Sequence, residues 1–351
     1  MSGETEASPA PRHHTLRYPA TRLPGVGAAQ RHGAAAATAT VLDEVPWARR
    51  PPGPPTPPDS ATTPDRPLES GCSYDETGAF VDLHTIDEVT GAAEAGAWRS
   101  GDAWLAGGTF LFSEPQPHLS RLRDLTTLGW PALTVGSDGL EIAATCTIAE
   151  LAGFAAPQWP VCDPLIRQCC DAFLASFKIQ NVATVGGNLC TALPAGPMTS
   201  LTAALDGWCT LESLDGTRRR VAVTDFVVDD GVTALHGSEY LRAIFLPATA
   251  LTGRSAFRQG SLHALGRSAA LVVGRIDAGS EAFVLTITAS TRRPVQLRFA
   301  RFPRAAEVRA AVDDAIPGDL WMDDVHGLPA WRRHLTETFA AEIRDELEAR
   351  P

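Results

Sequence analysis

Two short stretches of this chain share one design, and together they constrain its fold more than any other feature. Each is an apolar segment that breaks into paired glycines and then a polar residue: Leu105-Ala106-Gly107-Gly108-Thr109, and Ala183-Thr184-Val185-Gly186-Gly187-Asn188. Paired glycines stand where the backbone takes positive φ or lies against another surface more closely than a Cβ permits. On one reading the segments are turns or bulges at strand ends. On the other, successive N–H groups point into one concavity, the nest geometry that binds anions such as phosphate. Both loops would then cradle one phosphorylated ligand, with Thr109 and Asn188 adding side-chain donors. Neither segment matches G-x-G-x-x-G or the P-loop pattern, so no Rossmann-type dinucleotide fold is implied.

The periodicity around these segments is that of packed α and β elements. VDLHT, WLAGGTF, LTVGS and LEIAATC read as short strands separated by turn residues. TIAELAGF reads as helical. A clearer helix opens at Asp163-Pro164, with Asp163 as N-cap, and carries Ile166, Cys169, Cys170, Phe173, Leu174 and Phe177 at helical spacing. TSLTAALD is a further helical pattern, followed by a hairpin of CTLESL, a turn at Asp215-Gly216, and RRVAV. From about 240 come the strand-like YLRAIFLP, SAALVVGRI, EAFVLTITAS and PVQLRFA, then helical RAAEVRAAVDDA and WRRHLTETFAAEIRDELEA. Strands first and helices after suggest helices on one face of an antiparallel sheet. At 351 residues the chain has room for two or three domains.

Residues 1–76 differ from the rest: they hold 13 of the 27 prolines and an alanine run, too little apolar surface to offset ordering entropy. They are expected to be a disordered extension, or a proline-rich arm for a partner. The start lacks the apolar core of a secretory signal and no apolar run reaches a membrane span, so a cytoplasmic location is expected. The net charge of −11 disfavours nucleic acid, and Arg218-Arg219-Arg220 reads as a solvated hairpin face.

Seven cysteines, at 72, 146, 162, 169, 170, 190 and 209, form no C-x-x-C and no C-x4-C-x2-C spacing, and the histidines show no H-E-x-x-H, so no metal site is expected. No side chain reads as acid, base or nucleophile; His84, His118, His236 and His263 read as surface or structural.

LAGGT, DGLEIAATCTIAEL and above all NVATVGGNLCTALPAGP resemble the flavin-carrying medium subunit of the molybdenum hydroxylases, the family of xanthine and carbon monoxide dehydrogenases. The likeness runs on through ALDGWCTLESLDGTRRRVAVTDF and covers roughly residues 80–345. It implies an α+β protein: a PCMH-type FAD-binding domain of two α/β subdomains, followed by a smaller C-terminal α+β domain with an antiparallel sheet and helices. The implied boundaries are 1–76 for the extension, 77–240 for the FAD domain (77–160 and 161–240) and 241–351 for the last domain. FAD would lie with its pyrophosphate on Leu105, Ala106, Gly107, Gly108, Thr109 and Phe110 and on Thr184, Val185, Gly186, Gly187 and Asn188. The turn from Leu193 through Pro194, Ala195 and Gly196 to Pro197 would follow the ribityl chain or the ring.

The resemblance also implies partners: a [2Fe-2S] small subunit and a molybdopterin-containing large subunit. Electrons would pass through FAD to NAD+, oxygen or another acceptor. Phe110, Gln180, Pro197 and the run Arg267-Ser268-Ala269-Ala270 stand where the family commonly has other residues. Arg258 and Arg267 would approach the flavin or form structural ion pairs. A self-contained flavin oxidoreductase and an assembly subunit without flavin are the rival readings.

Overall fold

Four sheets and nine helices organise the described part of the protein. The structure, a computed structural model, describes residues 86–155 and 157–349. The proline-rich stretch, Cys72, His84 and the strand expected at 81–85 lie outside those residues.

The first sheet is parallel and small, with β1 (Glu88–Gly91), β2 (Asp102–Leu105) and β3 (Arg121–Asp124) in the order β1-β3-β2. Its cohesion is ionic as much as apolar. Arg121 and Arg123 on β3 are buried against Asp102 on β2, Arg121 at 2.6 and 2.7 Å and Arg123 at 2.8 Å. The same guanidiniums bond the carbonyls of Ala95 and Gly96 and so hold the β1–β2 connection. The Arg121 hydrogen bond, aided by Arg123, holds the Asp102 carboxyl well below the usual carboxylate range against the opposing effect of burial.

The second sheet is antiparallel, built from β4 (Leu133–Val135), β5 (Gly139–Ala143), β6 (Trp208–Glu212) and β7 (Arg218–Ala222), next to a two-stranded ribbon of β8 (Val227–Asp229) and β9 (Val232–Thr233). Its centre is β10 (Tyr240–Pro247), in the order β4-β5-β10-β6-β7. YLRAIFLP is therefore a strand, as its pattern predicts, but it belongs to this sheet and not to the one that follows. The hairpin around Asp215-Gly216 is also present. Within it Arg218 and Arg220 are exposed, while Arg219 is half-buried and bonds Glu239 and the Ala234 carbonyl.

Five helices pack here: α1 (Ile148–Ala152), α2 (Asp163–Asp171), α3 (Phe177–Gln180), α4 (Val185–Thr191) and α5 (Pro197–Ala204). Two single turns, α6 (Val223–Phe226) and α7 (Ala248–Leu251), complete the layer. The helix expected from 163 to 177 is shorter than its apolar spacing suggests. Cys162 is the N-cap and Asp163 the first helical residue, and Leu174 beyond the end takes φ 52°. Phe177 lies in a separate turn, 70% exposed. Ile166, Cys169 and Cys170 are buried as expected.

The C-terminal part is a meander of β11 (Arg254–Gly260), β12 (Ala270–Ile276), β13 (Phe283–Thr288) and β14 (Val295–Phe299), followed by α8 (Ala305–Ala315) and α9 (Pro329–Ala349). β12 and β13 are buried along nearly their whole length because both faces are covered. Leu271 and Val273 join the core shared with α5, while Val272, Phe283, Leu285 and Ile287 join the core under α8 and α9. Each such side chain contributes about 1.5–3 kcal/mol by leaving water. Arg275 of β12, 1% exposed, bonds the Ala204 carbonyl at the end of α5 and pairs with Asp206 and Asp277 at 2.6 Å. The mixed α+β architecture is the one expected; no helix among the described residues is long and apolar enough to cross a membrane.

Candidate functional site

The first glycine segment leaves the parallel sheet at the carboxyl end of β2, where Leu105 stands in register with Asp124. Open α/β sheets bind ligands at the carboxyl ends of their strands. Gly108 takes φ +68°, in the left-handed region that favours glycine, and its carbonyl accepts from Phe112 N at 2.9 Å. The amides of Gly107, Gly108, Thr109 and Phe110 donate to no acceptor among the described residues. Ala106 to Thr109 are half-buried and Phe110 is 36% exposed, so these amides lie within reach of a ligand. Here the nest reading fits.

The second segment is different, and the nest expected there is absent. Thr184 is extended and caps α4, whose first turn contains Gly186 and Gly187. Every amide in this turn is used inside the protein. Val185 N donates to Cys146 O (2.8 Å), Gly186 N to Ala144 O (3.0 Å), Gly187 N to Thr184 Oγ1 (3.0 Å) and Asn188 N to Thr184 O (3.0 Å). A Cβ on Gly186 would lie 2.5–2.6 Å from Ala144, including its backbone. This glycine admits a neighbouring strand end, not a ligand.

The two segments nevertheless meet. A Cβ on Gly107 would fall 2.0 Å from Val182 O and 3.1 Å from Ala183 Cα. Bare backbone therefore joins the β2 loop directly to the residues that enter α4. The turn at 193–197 is drawn in by Asn188, whose Oδ1 accepts from Met198 N at 3.1 Å in the first turn of α5. Its Nδ2 makes no hydrogen bond among the described residues. Gly196 N closes the turn on Leu193 O at 2.8 Å, while the half-buried Ala195 amide has no acceptor among the described residues. Leu105, Ala106, Gly107, Gly108, Thr109 and Phe110 thus share a region with Thr184, Val185, Gly186, Gly187 and Asn188 and, through Asn188, with Pro194, Ala195 and Gly196.

Sequence reasoning passed over two groups at this turn. Thr199 is 2% exposed, and its Oγ1 has no hydrogen-bond partner among the described residues; a Cβ on Gly196 would come within 3.5 Å of it. Asp230 follows β8, and the next residue, Gly231, donates to Ala192 O at 3.1 Å. Burial raises the Asp230 carboxyl above its ordinary range, an effect that Arg292 opposes. An isolated hydroxyl inside a helical pattern and an acid in a turn carry no signal at the level of sequence.

Other candidates lie elsewhere. Arg258 pairs with Glu342 (2.7 Å) and Glu346 (2.9 Å) on α9, a structural role. Arg267 is exposed, as are His118, His236 and His263. Cys146, Cys162 and Cys170 are buried, and burial pushes their thiols up to about 12, so they are poor nucleophiles near neutral pH.

A loop of open amides, a free side-chain amide and a buried hydroxyl are donors without acceptors. Together they fit an anionic, phosphate-bearing cofactor, though of the two glycine segments the first alone offers open amides. Residues 79–249 match the family described as the FAD binding domain in molybdopterin dehydrogenase. Xanthine dehydrogenase 1 of Arabidopsis thaliana is 28% identical over 126 residues, 34% of this chain and 9% of that protein. The xanthine dehydrogenase of Dictyostelium discoideum is 32% identical over 81 residues, 22% of this chain and 6% of that protein. These matches span under a tenth of the relatives' length.

Among solved structures, a chain of the carbon monoxide dehydrogenase from Hydrogenophaga pseudoflava superposes with a TM-score of 0.62 at 21% identity, over 76% of this chain and 98% of that one. A chain of quinoline 2-oxidoreductase from Pseudomonas putida 86 gives 0.58 at 21%, over 70% and 89%. Their fold is the fold seen here. The likeness to the FAD binding domain in molybdopterin dehydrogenase therefore lies in residues 79–249.

Proposed function

We propose that this chain is the flavin electron-transfer subunit of a molybdenum hydroxylase complex. Its partners are a [2Fe-2S] small subunit and a molybdopterin-containing large subunit, and electrons leave to NAD+ or another acceptor. The observation that carries the reading is the row of open amides from Gly107 to Phe110 at the carboxyl end of β2, inside a domain of the FAD-binding family. FAD, when bound, supplies the exchange between single-electron carriers and a two-electron acceptor.

The chain's own residues bind and orient. The amides of Gly107, Gly108, Thr109 and Phe110 hold pyrophosphate oxygens, and the Thr109 hydroxyl and Asn188 Nδ2 add donors. Thr184, Val185, Gly186 and Gly187 act at one remove, locking α4 against Ala144 and Cys146 so that Asn188 and Val182 are correctly placed. The Ala195 amide and Thr199 Oγ1 offer donors along the rest of the ligand.

The test is the visible spectrum of the purified full chain, with release and identification of any bound flavin. Flavin absorption and released FAD are expected, and copurification from the native source should recover iron, sulfide and molybdenum in partner chains. A colourless protein that takes up no added FAD would end the proposal. Steady turnover of a small substrate by the isolated chain would instead favour a self-contained flavin oxidoreductase.

A further inference from the structure

The turn at 193–196 is held between two buried residues in an unfavourable conformation. Ala192 (φ 51°) precedes it, and Ala289 (φ 64°) of the C-terminal part donates its amide to Pro194 O at 2.8 Å. Both alanines are at most 1% exposed. Left-handed backbone disfavours any residue with a Cβ, and such conformations persist where the surroundings over-determine them. The determinant at Ala289 is Arg332 of α9, itself 1% exposed. Its Nη1 donates to Ala289 O (2.7 Å) and Ala269 O (2.8 Å), its Nε to Gly327 O (2.9 Å), and its Nη2 to the Asp324 carboxylate. One turn further along α9, Thr336 Oγ1 bonds Ser290 Oγ at 2.9 Å, fixing the next residue of the same segment.

We propose that Arg332 is a positioning residue for the FAD-binding turn: by clamping the Ala289 carbonyl it fixes the Ala289 amide, hence Pro194 O and the direction of the open Ala195 amide. The inference rests on the reading that this turn lies against FAD. It assigns the C-terminal part a role in cofactor geometry, through one buried guanidinium and one backbone hydrogen bond.

The contrast residue is Arg275, equally buried and equally a link between the C-terminal sheet and α5, but bonded at the far end of that helix. The experiment uses the full chain titrated with FAD, reading Kd, the visible circular dichroism of bound flavin at saturation, and thermal unfolding without ligand. Arg332→Gln is expected to raise the FAD Kd at least tenfold and to alter the flavin dichroism. Arg275→Gln is expected to lower the unfolding temperature comparably, with Kd within twofold of wild type and an unchanged dichroism. Arg332→Lys keeps the charge facing Asp324 but offers three donors on one atom to the three carbonyls and the carboxylate, so it cannot hold all four. It is the variant that decides if the glutamine form fails to fold, and a Kd raised at least threefold is expected.

Wild-type Kd and dichroism in the Arg332 variants would overturn the inference alone, as would equal flavin effects at Arg275. A wild-type chain that binds no FAD would overturn the underlying reading with it.

Discussion

Gly107 lies so close to Val182 that a Cβ on the glycine would fall 2.0 Å from the valine carbonyl oxygen. That contact places the loop after β2 directly against the residues leading into α4, and it accounts for one glycine of the first pair without a ligand.

Gly107→Ala should therefore separate the two segments. Because the obstacle is backbone, the strain is expected to cost about 2–3 kcal/mol and to weaken FAD binding at least tenfold. Gly187→Ala meets only the Thr184 hydroxyl at 2.8 Å and should be milder on both counts. Urea unfolding and flavin titration of the two variants check the order; a reversed order would remove Gly107 from the site.

Asn188 separates structural from ligand contacts. Asn188→Ala removes the acceptor for Met198 N and should cost about 1 kcal/mol, as for a lost helix cap. Asn188→Asp keeps that acceptor but replaces the free Nδ2 with negative charge beside the proposed phosphates. It should retain near wild-type stability while its FAD affinity drops more than tenfold, measured by fluorescence titration at fixed salt.

Asp102 makes a prediction about acid stability. Its folded carboxyl is depressed by Arg121 and Arg123, so its contribution is fully present above the unfolded value of about 4. The contribution is lost as pH falls below that and through the folded value. Asp102→Asn leaves two buried guanidiniums without their counter-charge and should cost about 3–5 kcal/mol at pH 7. The gap between variant and wild type should be constant from neutral pH down to about pH 5 and narrow below about pH 4. Denaturant unfolding across that range would show it.

Arg258→Ala tests whether this residue has any role beyond its partly exposed pairs with Glu342 and Glu346. Those pairs are worth up to about 1 kcal/mol, and FAD Kd should be unchanged. A large loss of flavin affinity would return Arg258 to the site.

Much of the architecture was legible because period-two and helical patterns report burial of one face. The β6–β7 hairpin, the meander from β12 to β14 and the two C-terminal helices follow from their apolar spacing and turn residues. The spacing misled at Leu174 and Phe177, since an apolar residue at helical intervals says nothing of where the backbone turns out of the helix. The strand β11 (Arg254–Gly260) escaped notice because its alternation includes Arg258 and Gln259, whose polar ends are taken up by Glu342, Glu346 and Ser268.

The sequence by itself determined that two glycine pairs mattered, and its motifs pointed to FAD. Only the tertiary structure decided what each pair does. Whether an amide is free depends on which carbonyl lies opposite it, and that is set by strands distant in the chain. Ala144 and Cys146 occupy the amides of the second pair, while nothing described occupies those of Gly107 to Phe110. Identical local chemistry thus became a packing contact in one segment and a row of open amides, the proposed phosphate site, in the other.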